Sequence, residues 1–321
     1  MKGVFKRITT TIKGIQKGGI RHLYIPSIDN KENTIDKQQP DNPNQWVQIN
    51  DTEKIFELLL EQNTKMLIIS KNGITASGPL GEMIGQNLEG QDATQKILNG
   101  TFPHETIIQH YPHAREETVS FIKQMKRDKK ATHDFTWKYT AEEFQTTFRK
   151  TRESTACGPS GLHMSHWRAA AEHDEISSVH AFFIWAAFAL GFTYDRWAVS
   201  YHCMLQKLNR PYIHKLRIIQ LFEGDFNGGL KYLLGRQMMK HLIKTGVIDE
   251  HAYGSIPGMS SQEAMQTLQY IYENHRIMKK DLIALFNDAA GCYDRVRPNQ
   301  AKICSRRLGC PKSIIKTHIA T

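Results

Sequence analysis

The sequence has few cysteines, and none of them form a paired motif. Its five cysteines are an odd set with no CxxC spacing, which argues against a small disulfide-stapled class of protein. No secretory signal precedes them, so we expect an intracellular, reducing compartment, cytoplasmic or nuclear rather than secreted or mitochondrial. At 321 residues the chain can bury a sizeable core without such staples.

Long apolar runs are absent as well. The longest, residues 179–192 (VHAFFIWAAFALGF), contains a histidine and is shorter than the roughly 20 residues that a helix needs to cross a bilayer. This run is typical of a buried helix. We therefore expect no membrane partner.

Acidic residues are missing from two stretches. Residues 1–25 contain six Lys or Arg and no acid, and the 27 residues after Asp294 contain seven Lys or Arg and no acid. The net charge of +10 divides into +6 for residues 1–25, −5 for residues 26–200 and +9 for residues 201–321. A basic carboxyl-terminal half suits a polyanion such as nucleic acid, although solvated basic surfaces are also common.

Two segments precede the more regular part of the chain. Residues 1–26 are basic and amphipathic, with apolar residues at helical spacing, which favours a helix with a solvated basic face over a mitochondrial presequence. Residues 27–50 are polar, bear Pro and Asn and lack periodicity, so we interpret them as a linker.

Residues 51–139 are predicted to be mainly helical, beginning with a short helix over 52–63. The basic run 123–130 (KQMKRDKK) has little apolar content. We interpret this run as a solvated helix end or linker rather than a dedicated binding site.

From residue 140 the pattern favours an α+β fold. Thr140 with Glu143, and Ser260 with Glu263, have capping-box spacing and each predict a helix start, and Gly158–Gly161 predicts a turn. Unequal helical stretches between the predicted strands argue against regular βαβ winding. Helices are predicted over 140–153, 162–173, 176–191, 194–206, 230–245, 261–278, 298–308 and 311–319, and strands over 216–221 and 282–286.

The run Leu282–Phe286 ends at Asn287 and Asp288. It lacks polar alternation, which predicts a strand buried on both faces. A carboxylate just past such a strand would be held rigidly, as a metal ligand requires. A local alternative remains open, in which Asn287 and Asp288 form an Asx turn or cap the next element.

The sequence around Asp288, LFNDAAGCYDRV, resembles the first catalytic motif of reverse transcriptases. Further blocks resemble other parts of that family in the same order, including a Gly-Pro-x-Gly turn, a fingers hairpin, a Tyr-Gly-turn-helix segment and a Leu-Gly-x-Pro. The arrangement is similar to non-LTR retrotransposon polymerases over about residues 140–321, and residues 46–100 resemble the stretch that precedes the polymerase there. The blocks are residues 147–170, 204–221, 250–265, 285–296 and 308–311.

The resemblance implies a right-hand polymerase fragment, with fingers and the first part of the palm at residues 140–321. It implies that Asp288 is catalytic and bridges two Mg²⁺ ions, since paired divalent ions neutralise charge in phosphoryl transfer. The backbone carbonyl of Ala289 would ligate the nucleotide-side ion, and Tyr293 would lie beneath the sugar. Lys207 and Arg217 match the fingers residues that hold the incoming triphosphate.

Two positions depart from the family pattern. Ile218 stands where Pro is usual, and Ser160 stands where Asp is common. The family's Asp-Asp motif, which supplies the remaining metal carboxylates, is not present after Asp288. We therefore expect a truncated polymerase that is inactive alone, whose complete form would use an RNA template, a DNA primer and dNTP.

Three alternatives stay open. The first is a non-enzymatic nucleic-acid-binding remnant of a retroelement. The second is a metal-dependent hydrolase that uses Asp288 and Asp294. The third is a zinc site at Cys157, His163 and His166. The spacing of these residues matches no common zinc finger, which favours a packed cysteine and histidines on a helix face instead.

Overall fold

The chain forms a mixed helix and sheet structure with two compact units, which confirms the predicted α+β character at this level. The first unit contains residues 1–68 and 202–220, and the second contains residues 69–201 and 221–321. No helix of the described part of the chain is long and apolar enough to cross a membrane. This computed structural model describes residues 22–26, 46–68, 78–84, 92–113, 115–131, 137–207, 210–249, 251–254, 256–286 and 296–321.

The described part of the first unit contains two pairs of short strands, one α-helix and a 3₁₀ turn, Ile213–Lys215. Strand β1 pairs antiparallel with β2, with Leu23 opposite Ile49 and Pro26 opposite Trp46. Strand β3 pairs with β4. The bounds are β1 Leu23–Pro26, β2 Trp46–Ile49, α1 Thr52–Ile68, β3 Tyr201–Gln206 and β4 Leu216–Leu221.

The core of the first unit joins its strands to α1. Leu23, Ile55 and Leu216 are buried together, and Tyr24 N–H donates to the carbonyl of Pro211 at 3.1 Å. Burial of these side chains, each worth about 1.5–3 kcal/mol, fixes which face of β4 points inward.

One part of the linker prediction is wrong. Residues 46–49 form β2 rather than a loop, because Trp46 is nine-tenths buried and its ring packs on Tyr212 at 4.7 Å. Residues 1–21 of the predicted amphipathic segment 1–26, together with residues 27–45, lie outside the described residues. The rest of that segment is not helical, since residues 23–26 form β1.

One core of the second unit is built from short helices. Four of them pack around a cluster that includes Ile84, Leu98, Ile107 and Ile122, and Ile303 of a later helix joins the same cluster. These helices are α2 Gly78–Ile84, α3 Asp92–Asn99, α4 His104–His110, α5 Glu116–Gln124 and α12 Pro298–Arg307.

The other core of the second unit is rich in aromatic residues, including Phe144, Trp167, Phe188 and Trp197. Helix α9, Gly224–Leu230, continues through a π-helical stretch, Lys231–Met238, into α10, Met239–Lys244. The elements are α6 Ala141–Arg149, α7 Met164–Ala170, α8 Asp174–Leu190, α9 Gly224–Leu230, α10 Met239–Lys244, α11 Ser261–Ile277 and α13 Lys312–Ala320.

Both predicted capping boxes are confirmed. The Thr140 hydroxyl accepts from the Glu143 N–H and the Glu143 carboxylate accepts from the Thr140 N–H. Ser260 and Glu263 form the same arrangement at the start of α11. These local signals, worth about 1 kcal/mol each, place both helix starts where the sequence predicts them.

Two secondary-structure predictions are wrong. Residues 194–206 form a short 3₁₀ turn, Asp195–Ala198, followed by β3 rather than one helix. Leu282–Phe286 is not a buried strand, since it pairs with no described residue and Ile283 is 95% exposed. Apolar composition predicts burial only when another element covers the segment.

Candidate functional site

Lys207 and Arg217 lie on the β3–β4 strand pair. Lys207 directly follows β3, and Arg217 is the second residue of β4. Successive side chains of a strand point to opposite faces, and Leu216 is buried in the core of the first unit. Arg217 therefore points outward, and both Lys207 and Arg217 are exposed.

The strand pair carries positive charge with no internal compensation. Residues 201–221 contain four Lys or Arg, two His and no Asp or Glu. The Arg210 guanidinium lies over the Tyr24 ring at 5.6 Å. Within the described chain neither Lys207 nor Arg217 forms a salt bridge, so both cations are available to phosphate oxygens.

His202 links the two strands to the neighbouring helix. One ring nitrogen lies 3.0 Å from the Gln220 amide of β4, and the other lies 3.4 Å from the Asn63 amide of α1. A neutral imidazole has one acceptor nitrogen, so the ring accepts from one of these two amide N–H groups and lies between the strand pair and α1. This contact holds the framework on which Arg217 stands.

The two glycines of the Gly158–Gly161 turn are each required for a different structural reason. Gly161 has a φ of +73°, a conformation that favours glycine. Gly158 packs against the backbone of Glu223, where an added Cβ would lie 2.8 Å from the Glu223 Cα. The turn therefore fits closely against the residues that follow β4.

Glu223 fastens this turn through Ser160. The Ser160 N–H and the Ser160 hydroxyl each donate to the Glu223 carboxylate at 2.7 Å. Glu223 is fully buried. The carboxylate at the turn therefore comes from residue 223, and residue 160 supplies both donors.

Arg196 and Asp225 complete the polar network. The Arg196 guanidinium donates two hydrogen bonds to Asp225, one of them at 2.9 Å, and lies 3.6 Å from Glu223. Trp197 Nε1–H also donates to Asp225 at 3.0 Å. The carboxylates of Glu223 and Asp225 are both buried, and their negative charge is stabilised because N–H and O–H donors bond to them.

Sequence reasoning missed this network. No sequence pattern pointed to Glu223 or Asp225 as partners of Ser160 and Arg196. Since Ser160 and Glu223 are 63 positions apart, the pairing requires the tertiary fold.

Burial affects two titrating groups near this network. Burial lowers the pKa of His180, with Asp225 opposing that effect and Arg196 adding to it; the ring stacks on Phe144 at 5.4 Å. Burial and a hydrogen bond to Glu143 raise the pKa of Tyr232 to about 12. Tyr232 stays protonated and donates to Glu143, which ties the π-helical stretch to the capping box of α6.

The predicted metal and sugar contacts cannot be placed on this framework. Asp288, Ala289, Tyr293 and Asp294 all lie outside the described residues. Among the residues that the structure describes, no group of three or more His, Cys, Asp or Glu is placed to hold a metal ion.

The three residues considered for zinc have local surroundings instead. His163 is the N-cap residue of α7, and its Nδ1 accepts from the Ser165 N–H at 3.3 Å. His166 Nδ1 lies 3.2 Å from the carbonyl of His163. Cys157 is a half-buried free thiol.

Comparison with protein-family models gives no match, and comparison with curated proteins gives no similar protein. Function must therefore be argued from the residues and their geometry.

Proposed function

We propose that the chain contributes the fingers and the first palm motif of an RNA-directed DNA polymerase, which adds deoxynucleotides to a primer on a nucleic-acid template. The supporting observation is the acid-free β3–β4 pair, which presents Lys207 and Arg217 to solvent without ion-pair partners in the described chain. A compact ammonium and a planar guanidinium are complementary groups for holding triphosphate oxygens. The sequence motif around Asp288 supplies the second support.

The donor set around Asp288 suits Mg²⁺. The Asp288 carboxylate and the Ala289 carbonyl are hard oxygen ligands of the kind that Mg²⁺ prefers. Bound Mg²⁺ would neutralise charge on the triphosphate during nucleotide addition. No Asp or Glu follows Asp294, and one carboxylate does not hold two ions, so this chain by itself should bind a nucleotide without extending a primer.

Nucleotide binding by the chain tests this proposal. A fluorescent dNTP in Mg²⁺ buffer should bind the wild type, and Lys207→Gln with Arg217→Gln should weaken binding about 100-fold or more, because each of the two charged hydrogen bonds contributes about 1.5–3 kcal/mol. Lys240→Gln with Lys244→Gln, at two exposed cations of α10, removes the same charge and should change affinity by less than about 3-fold.

The proposal would be contradicted if both double variants weakened dNTP binding equally. Binding would then follow from net charge, and the role of the β3–β4 pair would be rejected.

A second candidate function is non-enzymatic nucleic-acid binding. The observation that favours it is the basic, acid-free sequence after Asp294, which suits contacts with phosphates. The two candidates differ at Asp288. Asp288→Asn should abolish Mg²⁺-dependent dNTP binding in the polymerase case, whereas it should leave nucleic-acid affinity and Mg²⁺ dependence unchanged in the other.

A further inference from the structure

Two basic segments far apart in the sequence meet in the second unit. One follows α5 and contains Lys126, Arg127 and Lys129, and the other is the end of α12, with Arg306 and Arg307. Asp128 N–H donates to the Arg307 carbonyl at 3.1 Å, and Arg307 Nε donates to the Gln124 carbonyl at 3.1 Å. These bonds hold the two segments side by side.

Between the segments lies a groove of about 830 Å³, which we call the basic groove. Its described lining includes Lys126, Arg127, Asp128, Lys129 and Arg307. The side chains of Lys126, Arg127 and Lys129 are exposed. The described lining thus holds four cations and one carboxylate, that of Asp128, which lies 4.0 Å from Arg307. Arg306, the next residue in the chain, adds a fifth cation close to Arg127.

Helix ends do not account for this charge. Helices α3, α5 and α12 end at the groove, and each carboxyl-terminal end carries about half a negative charge. The three helix ends together supply about −1.5 elementary charges, whereas the net charge of the nearby side chains is about +4. The terminal carbonyls also have other donors, since Leu98 O accepts from Arg127 N–H at 2.8 Å.

The cations are close enough to repel one another. Burial lowers the pKa of Arg306, and the charge of Arg127 lowers it further. Within the described chain, Lys126 and Arg127 form no salt bridge that would offset this repulsion. An anion in the groove would relieve it.

We propose that the basic groove binds the phosphate backbone of a nucleic-acid duplex without reading its sequence. Lysine and arginine in two rows, with donors that match phosphate oxygens, are the usual backbone contacts. The described lining has no aromatic side chain, and unpaired bases are usually held by stacking on aromatic rings. The site therefore suits a duplex rather than a single strand.

This inference rests on the proposed nucleic-acid function and names a place for it. It also revises our interpretation of residues 123–130. That run does follow a helix end, as predicted, but the fold adds Arg306 and Arg307 to it from about 180 positions away.

Salt-dependent binding of a fluorescent 20-base-pair RNA duplex tests the proposal. A groove variant carries Lys126→Gln, Arg127→Gln and Lys129→Gln. A control variant carries Lys231→Gln, Lys240→Gln and Lys244→Gln, three exposed cations of the same unit. Both lose three charges, and equal thermal unfolding would show that both fold.

The groove variant should bind about 10- to 100-fold more weakly, and the slope of log affinity against log salt should fall by about 2–3, because each lost phosphate contact removes about 0.9. The control should keep the wild-type slope. Equal losses of affinity in both variants would reject binding at the basic groove and would show that affinity follows net charge alone. Equal competition by poly-glutamate of the same charge would assign the groove to an acidic protein instead.

Failure of the inference is separable from failure of the proposed function. If the wild type binds neither duplex nor dNTP, both are rejected, and if it binds dNTP through Lys207 and Arg217 but no duplex, only the groove is rejected. If the wild type binds and the groove variant binds equally well, while Lys207→Gln with Arg217→Gln still loses dNTP, only the groove is rejected.

Discussion

Glu223 accepts two hydrogen bonds from Ser160, one from its backbone N–H and one from its hydroxyl, both at 2.7 Å. This pair connects the Gly158–Gly161 turn to the chain just after β4. The buried carboxylate comes from position 223, so position 160 has to be a donor. Ser160 meets this requirement with both its backbone N–H and its hydroxyl.

The Ser160–Glu223 pair predicts that substitutions at these two positions have non-additive effects on the free energy of unfolding. Ser160→Asp would place a second carboxylate against buried Glu223, and the free energy of unfolding should fall by about 2–4 kcal/mol. Adding Glu223→Gln removes the repulsion and should recover more than about 1 kcal/mol of that loss. Urea unfolding of the single and double variants measures the coupling.

Ser165→Asp, at an exposed serine in the first turn of α7, is the control and should change stability by less than about 0.5 kcal/mol. Additive effects of Ser160→Asp and Glu223→Gln would show that the two side chains do not interact.

Asp225 should be among the most sensitive polar positions. Asp225→Ala leaves the buried Trp197 indole N–H without its acceptor and separates Arg196 from its carboxylate, so the loss should be about 3–5 kcal/mol. Asp225→Asn keeps an acceptor oxygen and should cost less. Exposed Asp195→Ala should be nearly neutral in the same denaturation assay, and equal losses at 195 and 225 would contradict the network.

His180 should make the second unit less stable in acid. Its folded-state pKa lies below the usual value of about 6.5, so the unfolded chain binds the proton first as the pH falls. Stability from this group is intact above about pH 6.5 and is lost as the pH falls through the lower folded-state pKa.

Urea midpoints at pH 7.5, 6.5 and 5.5 measure this effect. His180→Gln should flatten the pH dependence relative to wild type. An unchanged dependence in that variant would show that His180 does not carry it.

Cys310 should resist alkylation in the folded protein. Burial raises its pKa to about 12, so at pH 8 its thiolate fraction is about 10³-fold below that of an ordinary cysteine. Half-buried Cys157 and Cys203 should react first with iodoacetamide, as peptide mass mapping would show. Rapid labelling of Cys310 before unfolding would contradict its burial in the core.

Local signals predicted much of the secondary structure, and non-local pairing limited the rest. The α6 and α11 starts are specified by residues three positions apart, so the sequence alone predicts them. Strand β3 depends on pairing with β4, which the local pattern of residues 194–206 does not indicate and only the resemblance of residues 204–221 to a hairpin suggested. The contacts of Glu223 with Ser160, and of Arg307 with Gln124, likewise form only in the tertiary fold.

The sequence suggested which residues form the candidate site, but it could not predict how those residues are arranged in space. Lys207, just after β3, and Arg217, on β4, are both exposed, and their role in holding a triphosphate stays a prediction. The expectation of a rigid buried strand before Asp288 is wrong for Leu282–Phe286, because no described element covers it.

Primer extension by the protein encoded by the whole reading frame is the most direct test of the polymerase proposal. With an RNA template, a DNA primer, dNTP and Mg²⁺, we expect extension by the wild type, no extension by Asp288→Asn, and extension near wild-type levels by Lys240→Gln with Lys244→Gln. Extension that persists in Asp288→Asn, or no extension by the wild type, would contradict the account.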